Sequence, residues 1–269
     1  MKMNTCSICC PVAQMATAAN LDNLISNMTK IGEIFSDYRI ILFLESATDE
    51  LMEGILKNMQ KNVKIDLLIN SKFRTKREIT HNLANARNKL LDRVKKLQHE
   101  FFLMMDWELC SASMDLNVLK RHLGRKDWDA LTFNVNDGNH NLWALSLNDL
   151  VFSMRHFSRP DVENVYFESL KTKLEQCESG NLVRVLSAFN GLAIYRTSLF
   201  LDSQYDGLPR KDLIPPFMME KNKKLLGEDG EYALKMEGEE EQDCEHRAFH
   251  LQAILLNNAR IKISPECLF

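Results

Sequence analysis

Phe101-Phe102-Leu103-Met104-Met105-Asp106-Trp107-Glu108 decides how this chain reads: an unbroken apolar run, then two carboxylates separated by a single indole. An apolar run this short, with no alternation, is the pattern of a central strand covered on both faces, as in parallel sheets. Open α/β sheets hold their ligands just beyond the carboxyl ends of such strands, so acids placed there stand where ligand chemistry occurs. If the strand continues past Met105, Asp106 and Glu108 project from one face and converge on one hard cation, Mg²⁺ or Mn²⁺. Alternatively, Asp106 caps the following turn and Glu108 is solvated. Spacing alone leaves both readings open.

Working outward, short apolar runs alternate with helical periodicity. Thr5 to Cys10 reads as a first strand, and Leu21, Ile25, Met28, Ile31 and Phe35 recur at helical spacing. Arg39 to Glu45 is a second strand, Leu51, Ile55 and Met59 mark a helix, Val63 to Ile69 is a third strand, and Ile79 to Leu97 is a long helix leading into Phe101. This alternation predicts an α/β fold with a mostly parallel central sheet and helices on both faces. The second half is less regular. Met114 to Leu123 and Val162 to Glu178 read as helices, and Ala130 to Asn134, Leu142 to Leu145 and Gly191 to Tyr195 as short strands, which predicts mixed strand directions there.

With 269 residues and 45% hydrophobic content, the chain has enough apolar mass for one sizeable core, and a single domain is expected. A net charge of -3 provides no basic field for nucleic acid or an anionic membrane. The seven cysteines are odd in number and scattered, which is no disulfide framework; Cys6-Ser7-Ile8-Cys9 has no second pair to complete a zinc site and fits a buried strand. Ile40 to Leu44 is far too short to span a bilayer and no apolar leader is evident, so a soluble protein of a reducing, cytoplasmic compartment is expected.

Further residues carry possible chemistry. In the helix before the Phe101 strand, Arg87 lies close to the apolar stripe formed by Ile79, Leu83, Ala86, Leu90, Val94 and Leu97, so its guanidinium must find an anion, either a phosphate or a core carboxylate. Its position alone favours the carboxylate. His246 and His250 are four apart in a segment that reads as a helix running to Leu256; that spacing suits a metal, and equally a pair with no ligand at all. Lys221 to Asp243 is dense in lysine and then in acids, the composition of a solvated loop or of a mobile lid.

Taken in order, Arg74-Thr75-Lys76-Arg77, Ala84-Asn85-Ala86-Arg87-Asn88, Met105-Asp106-Trp107-Glu108 and Asp127-Trp128-Asp129-Ala130-Leu131-Thr132-Phe133-Asn134 form a series. Leu142-Trp143-Ala144-Leu145-Ser146, Phe189-Asn190-Gly191-Leu192-Ala193-Ile194-Tyr195-Arg196 and Cys244-Glu245-His246-Arg247-Ala248-Phe249-His250 continue it. The series resembles a GT-A glycosyltransferase family, in particular glycosyltransferases of giant DNA viruses and, more distantly, fungal capsule-associated α-1,3-mannosyltransferases. The resemblance spans most of the chain and rests on the order and spacing of the blocks.

It implies a GT-A type, Rossmann-like domain over residues 1–269, with a nucleotide-sugar-binding half (1–110) and an acceptor-binding half (111–269) carrying an acidic loop near 221–243. It implies a UDP- or GDP-sugar donor, Mn²⁺ or Mg²⁺ held by Asp106 and Glu108 as a DxD-like element, and a glycan or glycoprotein acceptor. Glu108 stands where the family generally has a second Asp, and no further acid follows. By the same resemblance a C-terminal histidine, His250 in preference to His246, completes the metal shell. Arg77, Arg87, Asn88 and Trp107 surround the donor; Trp143, Asn190, Gly191 and His246 lie on the acceptor side. Asp243 or Glu245 would be the base of an inverting route, and a retaining route needs none.

Two rival readings remain at this point. One is a GT-A fold that has lost catalysis and serves as a binding or scaffold subunit, suggested by the thinned acidic element. The other is a sugar nucleotidyltransferase, which needs a Gly-rich, basic loop after the first strand; Cys10-Pro11-Val12-Ala13-Gln14 has neither glycine nor a basic residue.

Overall fold

The computed structural model describes residues 4–12, 17–44, 48–69, 79–111, 113–135, 140–153, 155, 161–178, 180–226 and 242–269. The first half follows the alternation read from the sequence: β1 (Thr5–Val12), α1 (Ala18–Gly32), β2 (Asp37–Leu44), α2 (Asp49–Lys61), β3 (Ile65–Ile69), α3 (Ile79–Leu97) and β4 (Phe101–Met105). Thr17 and Thr48 begin α1 and α2 by accepting the amide hydrogens of Asn20 and Leu51 on their hydroxyls, which satisfies donors that a helix start leaves unpaired. β1 lies parallel to both β2 and β4, and β2 parallel to β3. Strand order therefore reverses beside β1, and the carboxyl ends of β1 and β4 meet at a switch point, the place where open α/β sheets bind ligands.

The second half comprises α4 (Leu116–Leu123), β5 (Ala130–Asn134), α5 (Val162–Glu175), β6 (Val183–Val185), β7 (Leu192–Arg196), α6 (Pro216–Leu226), α7 (Glu245–Asn257) and β8 (Ile261–Cys267). These strands complete one sheet in the order β3-β2-β1-β4-β7-β5-β8-β6. β7 runs antiparallel to both β4 and β5, β5 is parallel to β8, and β6 is antiparallel to β8, so directions mix where the sequence becomes irregular.

Leu142 to Leu145 is a set of turns and not the expected strand; only Ser146 makes an isolated bridge, to Ser187. The reason is local, because the carbonyls of Trp143 and Leu145 are taken by the Arg247 guanidinium and cannot join a ladder. β6 and β8 go unread in the sequence. β6 is very short, and β8 contains Pro265, which is tolerated because it lies past the stretch that β6 pairs and beside a register shift against β5.

β4 is the centre of the core, fully buried along its length. Its alternate side chains feed two different clusters: Phe102 and Met104 join Leu90, Leu91 and Val94 of α3, while Phe101, Leu103 and Met105 join Leu21, Leu24, Met28 and Ile31 of α1. Helices thus cover both faces of the sheet. Phe102 stacks on Tyr195 with ring centroids 4.6 Å apart and meets Phe200 and Phe249 edge-on. No helix among the described residues is long and apolar enough to cross a membrane. Phe102→Ala is expected to lower unfolding stability by about 3–5 kcal/mol, the usual cost of emptying a large aromatic site, read as a reduced midpoint in urea.

Candidate active site

β4 ends at Met105. The Asp106 amide donates to the Gly191 carbonyl at 2.6 Å, and a 3-10 turn, Trp107–Ser111, begins at once. The expected strand continuation is therefore absent, and Asp106 and Glu108 are not two residues of one strand face. Asp106 keeps 23% of its side chain exposed, and Glu108 is exposed on the turn. Gly191 makes this geometry possible: its φ is +80°, and a Cβ there would stand 2.7 Å from the Leu109 side chain. Its position supports the turn that presents Asp106.

Arg87 of α3 organises the centre of the site. Its Nη2 donates to Asp106 Oδ1 at 2.7 Å and its Nε to Glu245 Oε1 at 3.0 Å, with the guanidinium only 2% exposed. The Phe189 ring lies 5.1 Å from Cζ. Burial works against the Arg87 charge, but Asp106 and Glu245 more than offset it and hold the guanidinium cationic. Burial pushes the Asp106 carboxyl up to about 7 against the pull of Arg87, with Glu108 and Glu245 adding repulsion. Burial likewise raises Glu245, again opposed by Arg87. Two acids of raised proton affinity thus share one fixed cation at the switch point.

The histidines fall into different settings. His246 stacks on Phe189 at 3.7 Å, stands 3.6 Å from Glu245 Oε1, and has no hydrogen-bond partner on either ring nitrogen; burial drives its pKa well down, leaving it neutral. His250 is fully buried, with Nδ1 3.0 Å from Ser187 Oγ and Nε2 3.1 Å from the Tyr195 hydroxyl. Both of its ring nitrogens are taken, and burial lowers its pKa to about 3. The structure does not bring His250 to Asp106 and Glu108.

Several other residues expected at ligand positions brace loops. Asn88 exchanges two hydrogen bonds with the main chain of Tyr205, and Asn190 accepts from the Asn141 amide and donates to the Phe133 carbonyl. Trp107 packs, partly buried, against the α1-side cluster. Trp143 is partly buried against the α3-side cluster. Asp243 pairs with Arg247, whose Nε lies 2.9 Å from its Oδ2, and also accepts the Cys244 amide. Arg77 and most of the acidic stretch near 221–243 lie outside the described residues.

Arg247 is the important residue that sequence reading missed. Only 2% exposed, it donates to the carbonyls of Trp143, Leu145 and Val151 and to the Ser146 hydroxyl. The signal was available, because Asp243 and Arg247 stand four apart across the first turn of a helix.

Asp106 and Glu108 suit a small hard cation of the kind held by one or two carboxylates, with water and phosphate oxygens filling the other positions. The described residues contain no group of three or more His, Cys, Asp or Glu side chains able to hold a metal ion. Two carboxylates without a third such ligand do not make a closed structural metal centre.

No family model matches the chain, and no curated protein matches it. Among solved structures it is similar to the mannosyltransferase PcManGT from Pyrobaculum calidifontis in complex with GDP-Man and Mn²⁺, at 11% identity and a TM-score of 0.43, covering 77% of this chain and 48% of that one. It is also similar to S. aureus TarS, at 14% identity and a TM-score of 0.48, covering 98% and 59%. A third likeness is to M. tuberculosis glucosyl-3-phosphoglycerate synthase, at 11% identity and a TM-score of 0.41, covering 73% and 58%. The chain thus spans roughly half to three fifths of the length of these structures.

Replacing Arg87 with Met leaves the buried Glu245 and the partly exposed Asp106 without their cation, and is expected to cost about 3–5 kcal/mol of stability, measured by urea unfolding. His250 carries a pH signature of definite sign. Its folded pKa lies below the unfolded value near 6.5, so its contribution is present above that pH and is lost as pH falls through the interval down to about 3. Between pH 6 and 4, stability of the wild type should fall more steeply than that of His250→Gln, by up to about 1.4 kcal/mol per pH unit.

Proposed function

We propose that this chain is a metal-dependent glycosyltransferase, moving a sugar from a UDP- or GDP-sugar to a hydroxyl of a glycan or glycoprotein acceptor. The observation that carries this reading is the Asp106–Arg87–Glu245 cluster at the carboxyl end of β4, beside β1, where strand order reverses. The ordered family-like blocks along the chain support it.

In this reading Asp106, with Glu108, holds the cation, which when bound supplies charge neutralisation for the departing nucleoside diphosphate. Arg87 sets the position of both acids and keeps Asp106 aimed from the end of β4. Glu245 takes the proton of the acceptor hydroxyl in an inverting route; its raised proton affinity makes it a better base than a solvated glutamate. Asp243 holds Arg247 and through it the 143–151 loop, a supporting role away from the reacting atoms.

One observation favours a second reading, that of a binding or scaffold subunit. Glu245 and Arg87 are 3% and 2% exposed and already bonded to each other, an arrangement that also serves stability alone. A panel of UDP- and GDP-sugars with and without Mn²⁺, followed by hydrolysis and thermal shift, separates the two. The transferase reading expects Mn²⁺-dependent turnover of one donor, reduced about 100-fold or more in Asp106→Ala. Glu245→Gln should keep donor binding and lose transfer. A folded protein with no shift from any donor plus Mn²⁺ supports the scaffold reading.

A further inference from the structure

A cleft of about 360 Å³ opens between the turn at 147–150 and one face of α5, and it shares no lining residue with the Asp106–Arg87–Glu245 cluster. Its volume falls within the span of small-ligand pockets, about 300–1,000 Å³. Both walls are fixed. In the turn, the Leu147 amide donates to the Leu150 carbonyl at 2.9 Å and the Leu150 amide to the Leu147 carbonyl at 3.2 Å, and both side chains are buried. Directly after it, the Val151 carbonyl accepts the Ser146 hydroxyl at 2.6 Å and Arg247 Nη1 at 2.9 Å. On the other side, α5 is seated by the buried Val162, Tyr166 and Leu170, which stand four apart, and the Tyr166 hydroxyl donates to the Phe152 carbonyl. That bond ties the helix to the end of the turn, so the cleft is preformed and a ligand entering it has little chain to order.

Ser169, Thr172, Lys173 and Gln176 of α5 recur three and four apart and line the cleft as one polar stripe beside the buried one. Glu168 belongs to the same wall, and Asp149 to the turn that faces it. Hydroxyl, amide, ammonium and carboxylate groups thus present donors and acceptors from two sides. The charges balance, because Asp149 and Glu168 are offset by Lys173 and by Lys221 of α6, whose Nζ lies 4.0 Å from Asp149 Oδ1. A lining without net charge recruits an ion of neither sign, and its mixture of donors and acceptors matches a neutral ligand that carries many hydroxyls.

We propose that this cleft is a binding subsite for a neutral sugar unit, separate from the place of transfer. The carboxylates of Asp149 and Glu168 accept from sugar hydroxyls, while Lys173 and Gln176 donate to them. Arg247 bonds the end of the turn and sits two residues after Glu245 in α7, so a sugar held here stands in a fixed relation to the candidate base. A remote unit of an acceptor glycan bound in this way contributes binding energy that orients the reacting unit. That role in the reaction rests on the transferase reading, whereas the sugar binding is measurable without turnover.

The test is an NMR titration of the isotope-labelled full chain with the methyl glycosides of glucose, mannose, galactose and N-acetylglucosamine, and with glucuronate and glucosamine as charged counterparts. At least one neutral glycoside should give saturable amide shifts concentrated in residues 147–150 and 168–176, and neither charged sugar should bind more tightly than methyl glucoside. Glu168 and Thr172 are exposed, so substitutions there leave the core intact, which an unchanged urea midpoint verifies. Glu168→Gln should weaken binding about tenfold, the usual scale for a hydrogen bond to a charged group, and Thr172→Trp, which fills the cleft, should abolish it. Absence of saturable shifts with every neutral probe, shifts confined to other segments, a Kd unmoved by Thr172→Trp, or about tenfold tighter binding of a charged sugar overturns the proposal. Mn²⁺-dependent donor turnover by the wild type is scored separately. Its absence beside intact binding in the cleft removes the transferase reading and keeps the subsite; turnover without binding in the cleft removes the subsite alone.

Discussion

A guanidinium taken out of water must be matched by anions, and in this protein that requirement is met by bringing together three segments distant in sequence. Arg87 projects from the middle of α3, Asp106 from the end of β4, and Glu245 from the start of α7. Breaking such a buried pair costs about 3–5 kcal/mol, a large share of a domain's net stability, so the three elements are coupled in the folded state. The same coupling sets the chemistry: one cation lowers, and burial raises, the proton affinity of two acids that would otherwise repel each other.

The sheet explains why Asp106, alone of the three, keeps part of its side chain exposed. β4 packs helices on both faces through alternate side chains, which leaves its carboxyl end as the outlet of an otherwise closed strand. Gly191, from the turn before the antiparallel β7, comes close enough to accept the Asp106 amide and to make room for Leu109. The parallel half thus delivers the acid, and the mixed half sets the angle at which it leaves the strand.

Polar side chains around this centre mostly hold backbone. Asn88 fixes the Tyr205 segment, Asn190 ties the β7 turn to the 140s loop, and Arg247 gathers three carbonyls of that loop while pairing with Asp243. Buried loop backbone that joins no ladder still needs partners, so side chains satisfy these carbonyls and amides. Residues whose types suggest ligand contact are in this way engaged in holding loop backbone.

The sequence by itself determined the α/β class, the order of the first seven elements and the point at which acids leave the central strand, because hydrophobic periodicity is a local property and β4 is apolar on both faces. It also required an anion for Arg87, since an arginine beside an apolar stripe cannot remain unpaired. Only the tertiary structure decided which anions those are, and that both Asp106 and Glu245 share the one guanidinium. It turned the chain at Asp106 into a 3-10 turn in place of a continued strand, since that choice depends on the Gly191 carbonyl, 85 positions away in the chain by the numbering. It also gave His250 to Ser187 and Tyr195, and Trp143 to Arg155 and Arg247. Such pairings follow from where packed helices and strands bring distant residues together, and no spacing along the chain encodes them.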